Sequence, residues 1–300
     1  MEPTTKKTLK IAGAVSGGIV LIAGALVGNL LIKFFHVEEQ RIDDKLVVFL
    51  GGGGNTAALI TPKGVVLVDT KLGLGASRLF EGVEALHAGP VSTIINTHFH
   101  LDHTHGNPLA PAGVRVIAAA PVRDLLIQLD GDFWAKEPAL SRLPNAPFTG
   151  EERLDFGDET LRLVQMPPAH TAADLVVLFE KRRILHTGDL FFNGLYPNID
   201  RHPGGGSVAG LAKACDLALA LPFDTVIPGH GKIAARADLV RARDYYLELS
   251  EYGKVAVAQK LTLADAVSKA PEGLRHFEPL TGITSLSGNI EAAMDEAAGK

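Results

Sequence analysis

Within one stretch of six residues the chain carries His98, His100, Asp102 and His103, four side chains able to bind a metal ion. Imidazole and carboxylate donors together suit zinc, and also iron, manganese or cobalt. Eleven histidines scattered at random over 300 residues would rarely produce such a cluster. Side chains two apart lie on different faces of a helix, so a loop presents these donors better than a helix does. A loop can turn His98 and His100 to one point and Asp102 and His103 to another. Two divalent ions held that close would activate a shared water for hydrolysis and polarise the bond under attack.

Such a loop needs a rigid mount, and the flanking sequence provides one. The β-branched run Val91–Asn96 reads as a buried strand leading straight into the cluster. Upstream, Leu46–Leu50 is strand-like and is followed by Gly51-Gly52-Gly53-Gly54-Asn55. Ala57–Thr61 and Val65–Asp69 form a hairpin around Pro62-Lys63-Gly64. A helix is expected over about Ala76–His87. Val114–Ala118 and Pro121–Leu129 repeat the strand-then-helix alternation. Asp130–Gly150, with Pro138, Pro144 and Pro147 and the pair Phe133-Trp134, reads as a long loop or partly helical insertion of the kind that overhangs a site. Further strands are expected at Leu161–Gln165, Leu175–Glu180, Ile184–Thr187 and Thr225–Ile227, and helices at Ser207–Leu221 and Ala234–Lys260. Thr262 fits the N-cap of one more helix. The pattern predicts an α/β (α+β) fold, an αββα sandwich of two mixed β-sheets packed together with helices outside.

From Lys45 to about Ile233 the chain resembles the metallo-β-lactamase superfamily. His98-x-His100-x-Asp102-His103 matches that family's HxHxDH motif at every defined position. His170 in Pro168-Ala169-His170-Thr171, Asp189 in Thr187-Gly188-Asp189-Leu190 and His230 in Pro228-Gly229-His230-Gly231 follow in the family's order. The resemblance implies that His98, His100 and His170 hold one metal and that Asp102, His103 and His230 hold the second, with Asp189 bridging both. It gives Asp102 a catalytic part, orienting the attacking water, and makes Asp69 a hydrogen-bond partner of a ligand histidine. Two divalent ions are implied, zinc first, with iron or manganese as alternatives.

On this reading the enzyme is a di-metal hydrolase of an ester, thioester, lactone or lactam, acting on a small molecule. The family's lactamase branches usually carry Cys or Ser where this chain has Asp189. An aspartate there is more like the hydroxyacylglutathione hydrolases and lactonases. A true β-lactamase is the first alternative. A mononuclear-iron sulfur dioxygenase and a phosphodiesterase of the same fold are the others. Di-iron relatives typically have Glu in place of His100. Tyr196, His202 and Trp134 are candidates to face the substrate, whereas His105, His87, His36, His276 and His186 are read as non-ligands.

Composition narrows the partners. A hydrophobic share of 46% and a charged share of 21% are those of an ordinary folded enzyme. With a net charge of −5 and no concentrated basic face, no nucleic-acid partner is expected, and no protein partner is inferred. Cys215, the sole cysteine, excludes an intrachain disulfide and reads as a small buried hydrophobe. Lys6, Lys7 and Lys10 precede an uncharged run, Ile11–Ile32. At about 1.5 Å per residue it would span roughly 33 Å, close to the thickness of a bilayer core. Residues 1–35 are therefore expected to form a membrane anchor (or signal sequence), one N-terminal transmembrane helix ahead of a hydrolase domain over 36–300. By the positive-inside rule that domain would lie outside the cytoplasm, in the periplasm or at the cell surface.

Overall fold

Two mixed β-sheets stack face to face, and each presents its outer surface to helices. The computed structural model describes residues 35–280 and 282–300, of which Val37–Lys300 form one compact unit. The expected anchor Ile11–Ile32 lies outside the described residues. Among these, no helix is long and apolar enough to cross a membrane.

The first sheet has seven strands in sequence order: β1 (Glu38–Arg41), β2 (Leu46–Leu50), β3 (Thr56–Thr61), β4 (Gly64–Val68), β5 (Val91–Ile95), β6 (Arg115–Ala119) and β7 (Ala146–Phe148). Pairing is antiparallel from β1 to β4 and parallel from β4 to β7. The parallel crossovers are made by α1 (Gly73–Ala85), by the short turn α2 (Leu101–Thr104) with its following loop, and by α3 (Val122–Leu129) with α4 (Gly131–Trp134). The second sheet runs in the order β13-β12-β11-β10-β9-β8. Its strands are β8 (Glu151–Asp155), β9 (Thr160–Gln165), β10 (Leu175–Phe179), β11 (Ile184–His186), β12 (Thr225–Ile227) and β13 (Ala234–Ala235). Only β11 and β12 pair in parallel, joined by α5 (Val208–Leu219). The chain ends with α6 (Arg236–Ala258), α7 (Leu263–Lys269) and α8 (Leu286–Ala297).

Strand alternation explains the layering. Leu46, Val48 and Leu50 point into the gap between the sheets and meet Leu161, Leu163, Val177 and Phe179 there. Val47, Phe49, Val65 and Leu67, on the other face, pack under Leu79 and Val83 of α1. On the far side, Val176, Leu178 and Val226 pack against Leu211 and Cys215 of α5 and Leu239, Tyr246 and Leu249 of α6. Strands covered on both faces read as continuous apolar runs, as β2, β4 and β10 do.

Leu46–Leu50 and Thr225–Ile227 fall where the sequence places them, and Thr262 caps α7 by accepting from Asp265 N. The insertion Asp130–Gly150 holds α4, a 3-10 turn at Leu140–Arg142 and the edge strand β7. The loop expected for the whole HxHxDH cluster is a loop only as far as His100, because Asp102 and His103 sit in the helical turn α2.

Candidate metal centre

The metal-capable side chains gather where strand ends meet. Parallel strands β4 and β5 finish at one edge of the first sheet, delivering Asp69 and then His98. Parallel strands β11 and β12 finish at the facing edge of the second, delivering Asp189 and His230. Strand β10 runs antiparallel to β11, so His170, which precedes it, arrives at the same end.

Two donor groups result. The nearest donor atoms of His98, His100, His170 and Asp189 lie within 4.8 Å of one another, and so do those of Asp102, His103 and His230. The Asp189 carboxylate touches both. Its Oδ2 lies 3.4 Å from His170 Nε2 and 3.9 Å from His98 Nε2, while its Oδ1 lies 3.1 Å from His103 Nε2. His230 Nε2 completes the second group, 3.2 Å from Asp102 Oδ2 and 3.4 Å from Asp189 Oδ2. The structure brings together the seven residues that the sequence resemblance implied, Asp189 grouping with His98, His100 and His170.

Several of these donors are buried beside one another without forming a well-directed hydrogen bond. His98 Nε2, His103 Nε2 and Asp189 Oδ1 have no hydrogen-bond partner. An unsatisfied buried polar atom costs roughly 1–3 kcal/mol, so three facing common points argue for an occupant that satisfies all of them. The donor chemistry, imidazoles with two carboxylates, fits divalent metal ions.

The groups behind the donors fix which atom each offers. Asp69 Oδ2 sits 2.7 Å from His103 Nδ1 and accepts from Thr97 Oγ1, while its Oδ1 accepts from Thr97 N. His103 thereby presents Nε2 to the centre. Thr97 Oγ1 also lies 3.0 Å from His98 Nδ1, which leaves Nε2 free. His170 Nδ1 donates to the carbonyl of Asn198 at 2.8 Å. Asp200 Oδ2 stands 2.8 Å from His100 Nε2, so His100 alone turns Nδ1 inward, 2.9 Å from His170 Nε2. The sequence reading placed Asp69 behind a ligand but gave Thr97, Asn198 and Asp200 no role. No residue pattern marks a backbone carbonyl or an acid 100 positions from its histidine.

The electrostatics follow from this crowding. Burial, aided by neighbouring His103, pushes His98 well below the usual imidazole range. Burial likewise takes His170 down to about 4, against the pull of Asp189, so both stay neutral and keep a lone pair to give. Burial works against ionisation of Asp189, yet His103 and His230 hold its carboxyl well below the ordinary range. His103 and His230 are raised despite burial, chiefly by Asp189, the latter to about 9.

Two supports keep the walls close. Asn55 donates to the carbonyls of Pro228 and Gly231 and accepts from Gly51 N, tying the glycine-rich loop to the His230 turn. Buried Lys71 donates to the carbonyls of Phe49, Gly51 and Gly54 at 2.6–2.9 Å. Glycine is required at Gly229, where a Cβ would lie 2.0 Å from Asp189 Oδ1, and at Gly54, where it would strike the His103 ring.

Two of the three residues proposed to face a substrate do not. Trp134 is wholly buried in the core between the sheets. Tyr196 is buried too, and its hydroxyl donates to Leu274 O. Both aromatic bodies are taken up by packing, the stronger demand on a large apolar ring. His202 is exposed, two residues beyond Asp200. Among the histidines read as non-ligands, His105 turns to Asp130 and stacks on Phe133, and His186 is buried against Asn55 O.

Two sheets whose facing edges converge on clustered histidines and aspartates define a class of metal-dependent hydrolase. Residues 50–230 match the model of the metallo-beta-lactamase superfamily, and the chain belongs to that superfamily. It is 27% identical over 238 residues to the 2,4-dinitroanisole O-demethylase subunit alpha of Nocardioides sp. (strain JS1661), covering 77% of this chain and 69% of that one. It is 26% identical over 282 residues to the lactamase-like protein adaB of Aspergillus niger, covering 87% and 78%. The fold is similar to that of the sec-alkylsulfatase Pisa1 from Pseudomonas sp., with a TM-score of 0.69 and 19% identity over 88% of this chain. This chain spans about half the length of that sulfatase, 50%. A metallo-beta-lactamase from Pontibacter korlensis superposes with a TM-score of 0.61 and 19% identity, covering 71% of this chain and 99% of that one.

Proposed function

We propose that the chain uses two divalent metal ions, zinc first, to hydrolyse a carboxylic ester, thioester, lactone or lactam of a small molecule. The observation that carries this reading is the Asp189 carboxylate, which stands between the two donor groups and within reach of both. An aspartate there, in place of Cys or Ser, favours ester and lactone substrates over β-lactams.

His98, His100 and His170 would hold one ion and Asp102, His103 and His230 the other, with Asp189 shared. Ions so held lower the pKa of water and polarise the acyl oxygen. The chain's own residues do the rest. The Asp102 side chain is 23% exposed, the most open of the seven ligands named here. It is therefore the ligand placed to orient the attacking water. Phe192 stacks on His230 at 4.9 Å and keeps solvent off that wall. The leaving oxygen or sulfur departs toward the open side, where His100 and Asp200 lie part-exposed.

The test is a panel of an aryl ester, a lactone, a thioester, a β-lactam, a sulfate ester and a phosphodiester, offered to zinc-loaded protein. Turnover of one of the first three, lost in Asp189→Ala, is expected. Turnover of the phosphodiester or sulfate ester alone would overturn the reading. The uncharged run Ile11–Ile32 supports an extracytoplasmic, membrane-anchored placement of this activity. Protease added to spheroplasts, whose inner membrane is intact, should then digest the domain, and protection would count against that placement.

A further inference from the structure

Two of the ligand histidines are oriented by a single loop, Pro197–Gly206, and that loop is held from behind by a helix beyond the family-matching region. Asn198 O fixes His170 and the Asp200 carboxylate fixes His100. On its near side the loop is bonded to the His170 turn, with Asp200 N donating to His170 O, Ala172 N to Gly204 O and Ser207 N to Ala169 O. On its far side the loop is bonded to α8.

Asn289, buried, donates to Pro197 O at 2.8 Å, one residue before Asn198, and its own oxygen accepts from Tyr245 OH of α6 at 2.7 Å. Arg201, next to Asp200, donates to Ala292 O at 3.2 Å. Glu296 closes the far end of the loop, accepting from Val208 N at 2.6 Å, Ala209 N at 3.1 Å and Ser207 Oγ at 3.2 Å. That carboxylate also caps the first turn of α5, where a negative charge is favoured. Helix α8 is itself seated on α6, where Gly253 lets Ala293 come close enough that a Cβ would meet its carbonyl at 2.5 Å. A rigid helix pair thus grips both ends of the loop.

We propose that α8 is a positioning element for the His98–His100–His170 half of the centre, acting through Asn289 and Glu296 on the loop that aims His100 and His170. It gives no ligand and touches no substrate. The inference rests on reading those histidines as metal ligands. Loss of an outer partner that orients a ligand commonly lowers metal affinity 10–100-fold. With the loop released, that loss falls on one half of the centre, because His103 and His230 are supported by Asp69 and the Asn55 loop instead.

The experiment is zinc titration of the full chain against a chromophoric chelator, with the visible spectrum of the cobalt form as a second readout. Wild type is expected to bind two ions. Asn289→Ala and Glu296→Ala should weaken one of the two by about 10–100-fold and leave the other unchanged. Glu296→Gln, which keeps an acceptor for Val208 N, should recover most of the loss. Met294→Ala loosens the same helix without removing a bond to the loop, and should lower thermal stability with both affinities intact. Equal weakening of both ions, in step with stability, would reduce α8 to a packing element and overturn the proposal. Unchanged affinities in Asn289→Ala and Glu296→Ala would overturn it as well. A wild-type chain that binds no zinc would sink this inference together with the proposed function. A chain that binds two ions but turns over nothing in the substrate panel would sink the proposed function alone.

Discussion

The atoms that matter most are ring nitrogens whose direction another residue decides. Asp69 is buried with both oxygens engaged, and its bond to His103 Nδ1 leaves Nε2 as the only nitrogen facing the centre. Asp69→Ala should therefore lower affinity for the ion on the Asp102–His103–His230 side by about 10–100-fold, measured by chelator competition. Undiminished affinity would show that packing alone aims the ring. Gly229 tests the same principle by crowding. A methyl there lands 2.0 Å from Asp189 Oδ1 with the Gly188 backbone at 2.7 Å, so the carboxylate must move off the point both donor groups share. Gly229→Ala is expected to lose at least about tenfold in kcat while keeping a wild-type circular dichroism spectrum, since misplacement by about 1 Å is enough to cost far more than that. Full activity in that variant would argue that Asp189 does not bridge.

At the scale of elements, the turns that carry the ligands are held by buried polar groups with an unusual energetic balance. Asp174 accepts from Thr171 N and Thr171 Oγ1 and so shapes the turn that presents His170. Burial raises its carboxyl to about 7, with the two Thr171 bonds resisting. A carboxyl whose pKa is higher folded than unfolded binds its proton more tightly in the native state. Its contribution is complete below the unfolded value near 4 and is lost as pH rises through about 7. Urea unfolding of the metal-free chain should show a stability decline between pH 4 and 7 that is smaller in Asp174→Asn, and identical slopes would refute the assignment. Lys71 works on the opposite wall. Its side-chain nitrogen donates a hydrogen bond to each of three strand and loop carbonyls, so Lys71→Met removes three buried hydrogen bonds. The expected loss is about 3 kcal/mol or more, a melting-temperature drop on the order of 10 °C by calorimetry.

These elements also differ in how much of them the sequence carries and how much the fold supplies. The seven metal-capable residues were legible because metal chemistry restricts residue types and because His98, Asp189 and His230 lie within three residues of the ends of strands β5, β11 and β12. The sandwich was legible because β2, β4 and β10 are unbroken apolar runs. Strand β8, Glu151–Asp155, was not, since only Leu154 of its five residues is buried. Helix α8 was less legible because Gly288 weakens its first turn, although Ser285 caps it, and because its place is set by contacts to α6 and the Pro197–Gly206 loop. Asp200 was passed over for the same reason. Its partner is supplied by the fold, 100 residues away in the chain.

For the molecule as a whole, the centre is the seam between the two sheets, and its stability depends on what fills it. Asp69 and His98 come from the first sheet, Asp189 and His230 from the second, and the three carboxylates Asp69, Asp102 and Asp189 are brought together with little water to screen them. Without an ion, the orphaned nitrogens and Asp189 Oδ1 remain unsatisfied. With ions bound to the folded state alone, stability rises by RT ln(1 + [L]/Kd), about 2.7 kcal/mol at a free concentration of 100 Kd. Chelator-stripped protein should then melt roughly 5–10 °C below the zinc-loaded form, and readdition of zinc should restore the difference. Ions held by both donor groups would bridge the sheets, so hydrogen exchange in the stripped protein should quicken first at the ends of β4, β5, β11 and β12. The outer helix α1, which packs on the first sheet away from the seam, should keep its protection. A melting temperature indifferent to zinc would mean that the sheets close without it, and that the clustered donors hold no ion in the native fold.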